Sequence, residues 1–309
     1  MGILGIDTSN YTTSFAFYEQ DIIRQVKRLL PVKEGEKGIR QSDAVFHHTK
    51  AYPELLTELL SQVGSSIEAV GVSVTPTTSE GSYMPCFLVG EGVSVAVSQS
   101  CKVPLFKFSH QQGHIAAALY SSGKEELLNQ SFLAFHVSGG TTDLVLCTPS
   151  DEEIIKTTPV ASSSDLKAGQ AVDRIGVQMG LRFPAGAELE KLALNSTEDY
   201  SNKIKLVDGS CSLSGLQNKC EKMLSQGESK ENVSRFLLSY IADTVIAMTK
   251  DAQKKCGNIP VVYAGGVMSN SIIQKKVSEE IHDSYFAKPE FSCDNAAGVA
   301  LLAHKSLKR

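Results

Sequence analysis

The sequence predicts an α/β chain built as two lobes, each with its own β-sheet and covering helices. Three observations carry that expectation. The first is the stretch Phe135 to Val145, F-H-V-S-G-G-T-T-D-L-V, in which apolar runs flank a polar, glycine-bearing turn. The second is a related stretch near the start, Gly5 to Phe17, G-I-D-T-S-N-Y-T-T-S-F-A-F. Shifted by about 130 residues, Ser9 falls on Ser138 and Thr12-Thr13 on Thr141-Thr142, and internal similarity of this kind is a primary architectural clue. The third is size: 309 residues, 42% hydrophobic and 21% charged, suffice for two lobes with cores of their own.

Each stretch reads as strand, polar turn, strand. In the stretch Phe135 to Val145, Gly139-Gly140 predicts a tight hairpin turn. Glycines let backbone N–H groups approach a ligand closely. Ser138, Thr141 and Thr142 add hydroxyls beside them, so the turn is suited to an anion such as a phosphate. An ordinary hairpin with polar tips is the competing reading. Two such hairpins, each opening its own half, predict related lobes facing a shared cleft. That architecture resembles the actin, sugar kinase and Hsp70 ATPase superfamily (ASKHA), and S-G-G-T-T-D is similar to its second phosphate loop.

Bulk properties narrow the classes. No apolar run approaches the roughly 20 residues that span a bilayer, and M-G-I-L-G-I-D enters a strand directly, without the basic region of a leader. Seven scattered cysteines without a C-x-x-C pair read as reduced thiols of a cytoplasmic protein, not as a disulfide framework or zinc cage. A net charge of -4 gives no global attraction to nucleic acid. Any RNA contact would need a partner or a local patch such as Arg24, Lys27, Arg28, Lys33, Lys37 and Arg40, and those six read first as a solvated basic surface.

In chain order, residues 2–8, 12–18 and 21–29 read as three antiparallel strands. Residues 30–49 are polar and glycine-bearing and read as a loop holding His47 and His48. Residues 52–63 have helical spacing with Pro53 in the first turn. Residues 70–75 read as a buried strand, 88–98 as a helix and 103–108 as a short strand. In S-H-Q-Q-G-H-I-A-A-A-L, Ser109 is a good N-cap and the alanines favour helix. His110 and His114 then lie one turn apart on one face, a spacing that lets two imidazoles share a metal ion. Capping an exposed helix start is the alternative role. A zinc protease would place glutamate after the first histidine. Gln111 stands there, which argues against metal-assisted hydrolysis.

Beyond the second hairpin, residues 153–157 read as a strand. Asp165 reads as the cap of a helix ending by Gly180, with Asp173 mid-helix, either solvent-facing or placed to accept ribose hydroxyls. Further helices are expected from Pro184 to Asn195, after S-L-S-G-L-Q-N-K (212–219), and from 231 to 255. A buried strand at 259–263 ends in A-G-G-V-M-S-N, where Gly265-Gly266 again brings backbone near a ligand and Asn270 opens the next helix. Asp294 reads as N-cap of the C-terminal helix, and as a third metal ligand in the alternative. The lobes are expected at 1–108, with helix 295–309 packing back on it, and at 109–294, holding both the metal and the nucleotide sites.

Taken together these stretches resemble the TsaD family over nearly the whole chain: G-I-D-T-S, H-x-x-G-H, V-S-G-G, G-x-A-x-D followed by P-x-G, S-x-S-G-L, G-G-V-x-x-N and a late D-N. The family comprises tRNA N6-adenosine threonylcarbamoyltransferases, formerly described as O-sialoglycoprotein endopeptidases. The resemblance implies one divalent metal, iron or zinc, on His110, His114 and Asp294. It implies an adenine nucleotide or threonylcarbamoyl-AMP bound by His136, Val137, Ser138, Gly139, Gly140, Asp173, Gly186, Gly265, Gly266 and Asn270. The implied reaction moves the threonylcarbamoyl group to N6 of adenosine 37 in tRNA and releases AMP, with the ion as Lewis acid. The implied partners are tRNA, a TsaB-like lobe-pairing protein, a TsaE-like ATPase and a second copy of the chain, in the cytoplasm and away from membranes.

The chain departs from the family pattern in four places. Tyr11 and Thr12 stand where the family has two acidic residues, in an opening that otherwise reads E-T-S-C-D-E-T. Thr141 replaces the histidine after S-G-G. The V-P-E and R-x-H pattern is not recognisable in residues 30–50, and T-P-T-T-S-E-G-S replaces a glycine-proline-glycine turn. No residue is therefore assigned as a catalytic acid or base. The chain is expected to be a divergent member of the family. Two other readings stand beside the transferase: a non-catalytic metal- and nucleotide-binding paralogue that partners a true member, and an ATPase or kinase of the wider superfamily.

Overall fold

The computed structural model describes residues 2–9, 11–31 and 39–309. Lys33 and Lys37 of the basic group, and residues 32–38 of the expected 30–49 loop, lie outside the described residues. In chain order the elements are β1 Gly2–Asp7, β2 Thr12–Glu19, β3 Ile22–Leu29, α1 Gln41–Ser61, β4 Ile67–Thr75, α2 Phe87–Cys101, β5 Leu105–Ser109, α3 His110–Ser122, β6 Phe132–Val137, β7 Thr142–Ser150 and β8 Ile154–Ser162. Then follow α4 Ala168–Gln178, α5 Gly186–Leu194, α6 Ser214–Ser225, α7 Lys230–Cys256, β9 Val261–Ala264, α8 Ser271–Glu280, β10 Ser284–Phe286, α9 Pro289–Ser292 and α10 Ala297–Leu307.

The chain divides into two compact units. The first comprises Met1–Leu128, Pro149–Lys156 and Cys293–Arg309, the second Asn129–Thr148 and Thr157–Ser292. The first sheet runs β3-β2-β1-β4-β5 and the second β8-β7-β6-β9-β10. In each, the leading strand pairs antiparallel with the next strand in sequence and parallel with the later one. The registers match as well. Asp7 faces Ser14 as His136 faces Asp143, and Ile6 faces Phe15 as Phe135 faces Leu144. The similarity read between the two sequence stretches is thus a similarity of pairing, not of composition alone.

In the first unit, Leu4, Ile6, Phe15, Phe17, Val70 and Val72 form one sheet face and pack with Ala51, Leu55 and Leu59 of α1. On the other face, Gly5 and Gly71 admit α10 at close range: a Cβ on Gly5 would meet the Ala300 Cβ at 2.8 Å, and one on Gly71 the Ala303 Cβ at 2.8 Å. Side chains alternate between the faces of a strand, so the apolar positions serve one helix layer and the glycines the other. In the second unit, Leu133, Phe135, Val137 and Leu144 pack with Leu237, Ile241 and Val245 of the long α7.

Several expectations are corrected. The unit boundary falls after Leu128, not at 108, because α3 crosses α10 with glycine against glycine. A Cβ on Gly298 would overlap the Gly113 carbonyl and stand 2.8 Å from the Ala117 amide nitrogen. The expected loop at 30–49 is helical from Gln41, so Pro53 lies inside α1. The buried face of α1 is Ala44, His48, Ala51, Leu55 and Leu59. Its first half carries small or polar residues, which hide helical periodicity. His48 is fully buried, not exposed, with Nδ1 2.8 Å from the Thr13 hydroxyl, and burial pushes its pKa down to about 4. The second hairpin turn is also less tight than expected. Four residues separate Val137 from Thr142, and positive φ is absent at Gly139 and Gly140.

Candidate metal centre and glycine loop

The candidate metal centre lies within the first unit and is assembled by one strand, one helix and the approach to another. The peptide reversal at Ser109 starts α3: its hydroxyl accepts from the Gln112 amide while the Gln112 side chain accepts from the Ser109 amide, a reciprocal capping box. His110 is the first residue of that helix and His114 the fifth, so their rings meet edge to face on one side of it, with centroids 4.2 Å apart and planes inclined at 73°. Asp294 does not cap α10. The cap position is Ala296; Asn295, just before it, accepts from the Ala297 amide through Oδ1, and the Asp294 carboxylate is turned to the histidines. Its Oδ1 lies 3.5 Å from His110 Nε2 and 3.3 Å from His114 Nε2. The three ligand atoms fall within 4.8 Å of one another, and this is the group of metal-ligand type found among the described residues.

These spacings fit an ion. Donors about 2.1 Å from a four-coordinate zinc-like centre stand roughly 3.4 Å apart. Two imidazole nitrogens and one carboxylate oxygen make a donor set suited to zinc or ferrous iron. Charge is concentrated here. Burial works against a charged His110, but the Asp7 and Asp294 carboxylates outweigh it and the ring is pushed up to about 10. Burial, then the neighbouring His110, lowers His114. For Asp294 burial opposes ionisation, yet hydrogen bonds from both histidines hold it well below the usual carboxylate range.

The sequence reading missed Asp7. It ends β1, is 1% exposed, and its Oδ2 lies 3.2 Å from His110 Nδ1. Ser9 donates to it at 2.8 Å, and Ser73, from neighbouring β4, donates to its other oxygen. The G-I-D-T-S motif contained the residue. Its proximity to α3 depends on strand order, which no local pattern gives.

The expected nucleotide residues all lie in the second unit, joined by a continuous set of contacts. Residues 138–141 form the β6–β7 loop. The Ser138 hydroxyl accepts from the Gly140 and Thr141 amides at 3.3 and 3.2 Å, and so keeps its own hydrogen to donate. The N-terminus of α4 is seated on this loop: the Ala168 amide donates to the Thr142 hydroxyl and the Gly169 amide to the Ser138 carbonyl. A Cβ on Gly169 would stand 2.6 Å from the Gly139 nitrogen, whereas Gly139 and Gly140 face open space. One turn along α4, Asp173 accepts from the Ala185 amide at 2.8 Å, directly before Gly186. Burial raises Asp173, with that bond opposing.

Gly265 has φ +96° and abuts the Val137 carbonyl and the His136 ring, which places the G-G-V turn under the loop. Gly266 opens a short 3-10 turn, Gly266–Ser269. Asn270 Oδ1 is occupied as the cap of α8, accepting from Ile272 and Ile273. Ser271 donates to Glu190 on α5, which ties Asn270 to the Gly186 helix. Asp165, expected to cap α4, instead accepts from Leu166, Ser212, Leu213 and Ser214 and so fastens the start of α6.

Of the described basic residues, Arg28 pairs with Glu54 at 2.8 Å and Arg24 stands 3.9 Å from Glu19. The cysteines are free thiols. Among the described residues, no helix is long and apolar enough to cross a membrane.

The family model described as TsaD, tRNA N6-adenosine threonylcarbamoyltransferase, matches residues 25–301. A protein of that name from Streptococcus equi subsp. equi is 27% identical over 315 residues, covering 97% of this chain and 90% of the relative. Another, from Thermus thermophilus, is 27% identical over 318 residues, covering 100% and 94%. Among solved structures, full-length HypF in a phosphate- and nucleotide-bound form superposes with TM-score 0.63 at 14% identity, and the chain spans 47% of it. A ROK family glucokinase from Streptomyces griseus in complex with glucose and AMPPNP gives TM-score 0.54 at 12% identity, covering 99% of this chain and 100% of that one. At such identities these structures speak to fold alone, a two-lobed α/β fold. With its family model matched from residue 25 to residue 301, the chain belongs to the TsaD family of transferases, the tRNA N6-adenosine threonylcarbamoyltransferases.

Proposed function

We propose that this chain transfers a threonylcarbamoyl group from threonylcarbamoyl-AMP to N6 of adenosine 37 in tRNA, with one divalent metal held by His110, His114 and Asp294. The observation that carries the reading is the convergence of those three side chains, within a family whose members bear that activity as their name. A bound iron or zinc ion supplies Lewis acidity. The chain's own residues do the positioning. The loop at 138–141 offers the Ser138 hydroxyl and the open backbone of Gly139 and Gly140 to the phosphate of the adenylate. Asp173, beside Gly186, is placed to accept ribose hydroxyls, and the Gly265-Gly266 turn and Asn270 complete the cradle. The N6 nitrogen attacks the activated carbonyl carbon, the bond to the phosphate oxygen breaks, AMP leaves with the electron pair, and the proton released from N6 passes to the departing phosphate or to water. Because the acyl group arrives activated, orientation supplies much of the rate.

A second reading rests on Tyr11 and Thr12, which occupy the positions of the family's two acids. In it the chain binds metal and nucleotide without turnover and partners a true family member in the cytoplasm. One assay separates the two. The protein is incubated with ATP, threonine, bicarbonate, an adenylate-forming enzyme and unmodified tRNA, with and without a TsaB-like protein and a TsaE-like ATPase. Nucleosides are then analysed by mass spectrometry. Threonylcarbamoyladenosine dependent on this chain supports transfer, and its absence under all combinations supports the non-catalytic reading. The state of assembly, including a homodimer, is read from the same preparations by light scattering.

A further inference from the structure

The two hairpins match in register, yet their loops are used differently. In the second unit the loop is open at Gly139 and Gly140. In the first, the hydroxyls of Thr8, Ser9 and Thr13 are committed to the protein. Thr8 donates to the Cys86 carbonyl and accepts from the Gly90 amide, closing the start of α2. Thr13 is bonded to His48, and Ser9 and Ser73 both donate to Asp7. The position that holds Asp7 in the first hairpin holds His136 in the second. Asp7 is thus a buried carboxylate with each oxygen fixed by a hydroxyl, and the Nδ1 edge of the His110 ring is set against it at 3.2 Å.

We propose that Asp7 is the positioning residue of the metal centre. Accepting from His110 Nδ1–H, it fixes the ring tautomer and directs the Nε2 lone pair toward Asp294 and the ion they share. Ser9 and Ser73 in turn fix the carboxylate. A metal-bound histidine oriented in this way by a carboxylate gains basicity and loses rotational freedom, and removing the outer partner lowers metal affinity about 10–100-fold. The inference rests on the metal reading above and is tested so that the two fail separately.

Zinc affinity is measured on the full chain by competition with a chromophoric chelator, for the unaltered protein, Asp7→Asn, Asp7→Glu, Ser73→Ala and His110→Ala. The protonation site of the His110 ring is read from nitrogen NMR signals of the isotope-labelled, zinc-loaded protein. The expected results are an affinity about 10–100-fold weaker for Asp7→Asn, a smaller loss for Asp7→Glu and Ser73→Ala, and a proton on His110 Nδ1. Affinity within about twofold of the unaltered protein in Asp7→Asn, well short of the expected loss, or a His110 ring bound to zinc through Nδ1, would overturn the assignment. Should Asp7→Asn fail to fold, Ser73→Ala decides, since it loosens the carboxylate without touching His110; unchanged affinity there counts against the proposal. If His110→Ala binds zinc as tightly as the unaltered protein, the metal centre itself is misassigned.

Discussion

Replacing Gly298 with alanine tests how the metal centre is held together. A Cβ there would stand 2.6 Å from the Gly113 carbonyl carbon and 2.8 Å from the Ala117 nitrogen, besides overlapping the Gly113 oxygen. These are backbone atoms of α3 and cannot step aside alone. Restoring ordinary contact requires the two helices to part by roughly 1.5 Å or more, and overpacking of this kind costs about 1–3 kcal/mol. Asp294 enters α10 from one side of the crossing, and His110 and His114 lie on the other. The Asp294–His114 spacing of 3.3 Å therefore opens with it, against a tolerance of about 0.2 Å in metal–ligand distance. Denaturant unfolding and zinc competition on the same sample read both effects, with Gly92→Ala as control. Gly92 is a helix-interior glycine whose Cβ would meet open space, so alanine there should stabilise by about 0.5–1 kcal/mol. A Gly298→Ala protein with unchanged stability and unchanged zinc affinity would refute the helix crossing as the device that sets the site.

Three further outcomes are expected. His110→Ala or His114→Ala should abolish co-purified metal, and full occupancy by elemental analysis contradicts the site. His48→Gln should flatten the pH dependence of stability. A buried histidine lowered to about 4, against about 6.5 unfolded, contributes stability that is complete above about pH 6.5 and is lost as pH falls toward about 4. Between about pH 7 and pH 5 the unaltered protein should lose about 2 kcal/mol relative to the variant, and parallel denaturation curves at the two pH values would dismiss the idea. Gly169→Ala should push the α4 start off Ser138 and Gly139 and weaken AMP binding by about tenfold, as expected when overpacking costs about 1.4 kcal/mol; calorimetry reads this, and equal affinity counts against the cradle.

Local chemistry was legible in the sequence and adjacency was not. The Ser109 N-cap and the i, i+4 histidines depend on residues within one turn of each other, and both stand as read, whereas the Gln112 half of the capping box was not anticipated. The hairpin duplication was visible because its signal, hydroxyls at matched offsets, repeats along the chain. The start of α1 was hidden because Ala44 and His48 carry its buried face. Asp294 and Asn295 are neighbours of similar capping tendency, and only the turn geometry decides which of them bonds the start of α10. Asp7 reaches His110 through the order β1-β4-β5, and Ser73 reaches Asp7 across the same strands. Such juxtapositions are set by long-range pairing and leave no periodic trace.

The first unit closes with Cys293–Arg309, after the whole of the second has been made. A ribosome delivering this chain at about 5–20 residues per second therefore releases the histidine pair well before the aspartate that completes their set. The later-encoded body can finish folding while the earlier one still waits for its final helix. A product cut short before residue 293 would keep both imidazoles and lack the carboxylate set against them, so on the proposed metal reading ion uptake would require synthesis to have passed Asp294.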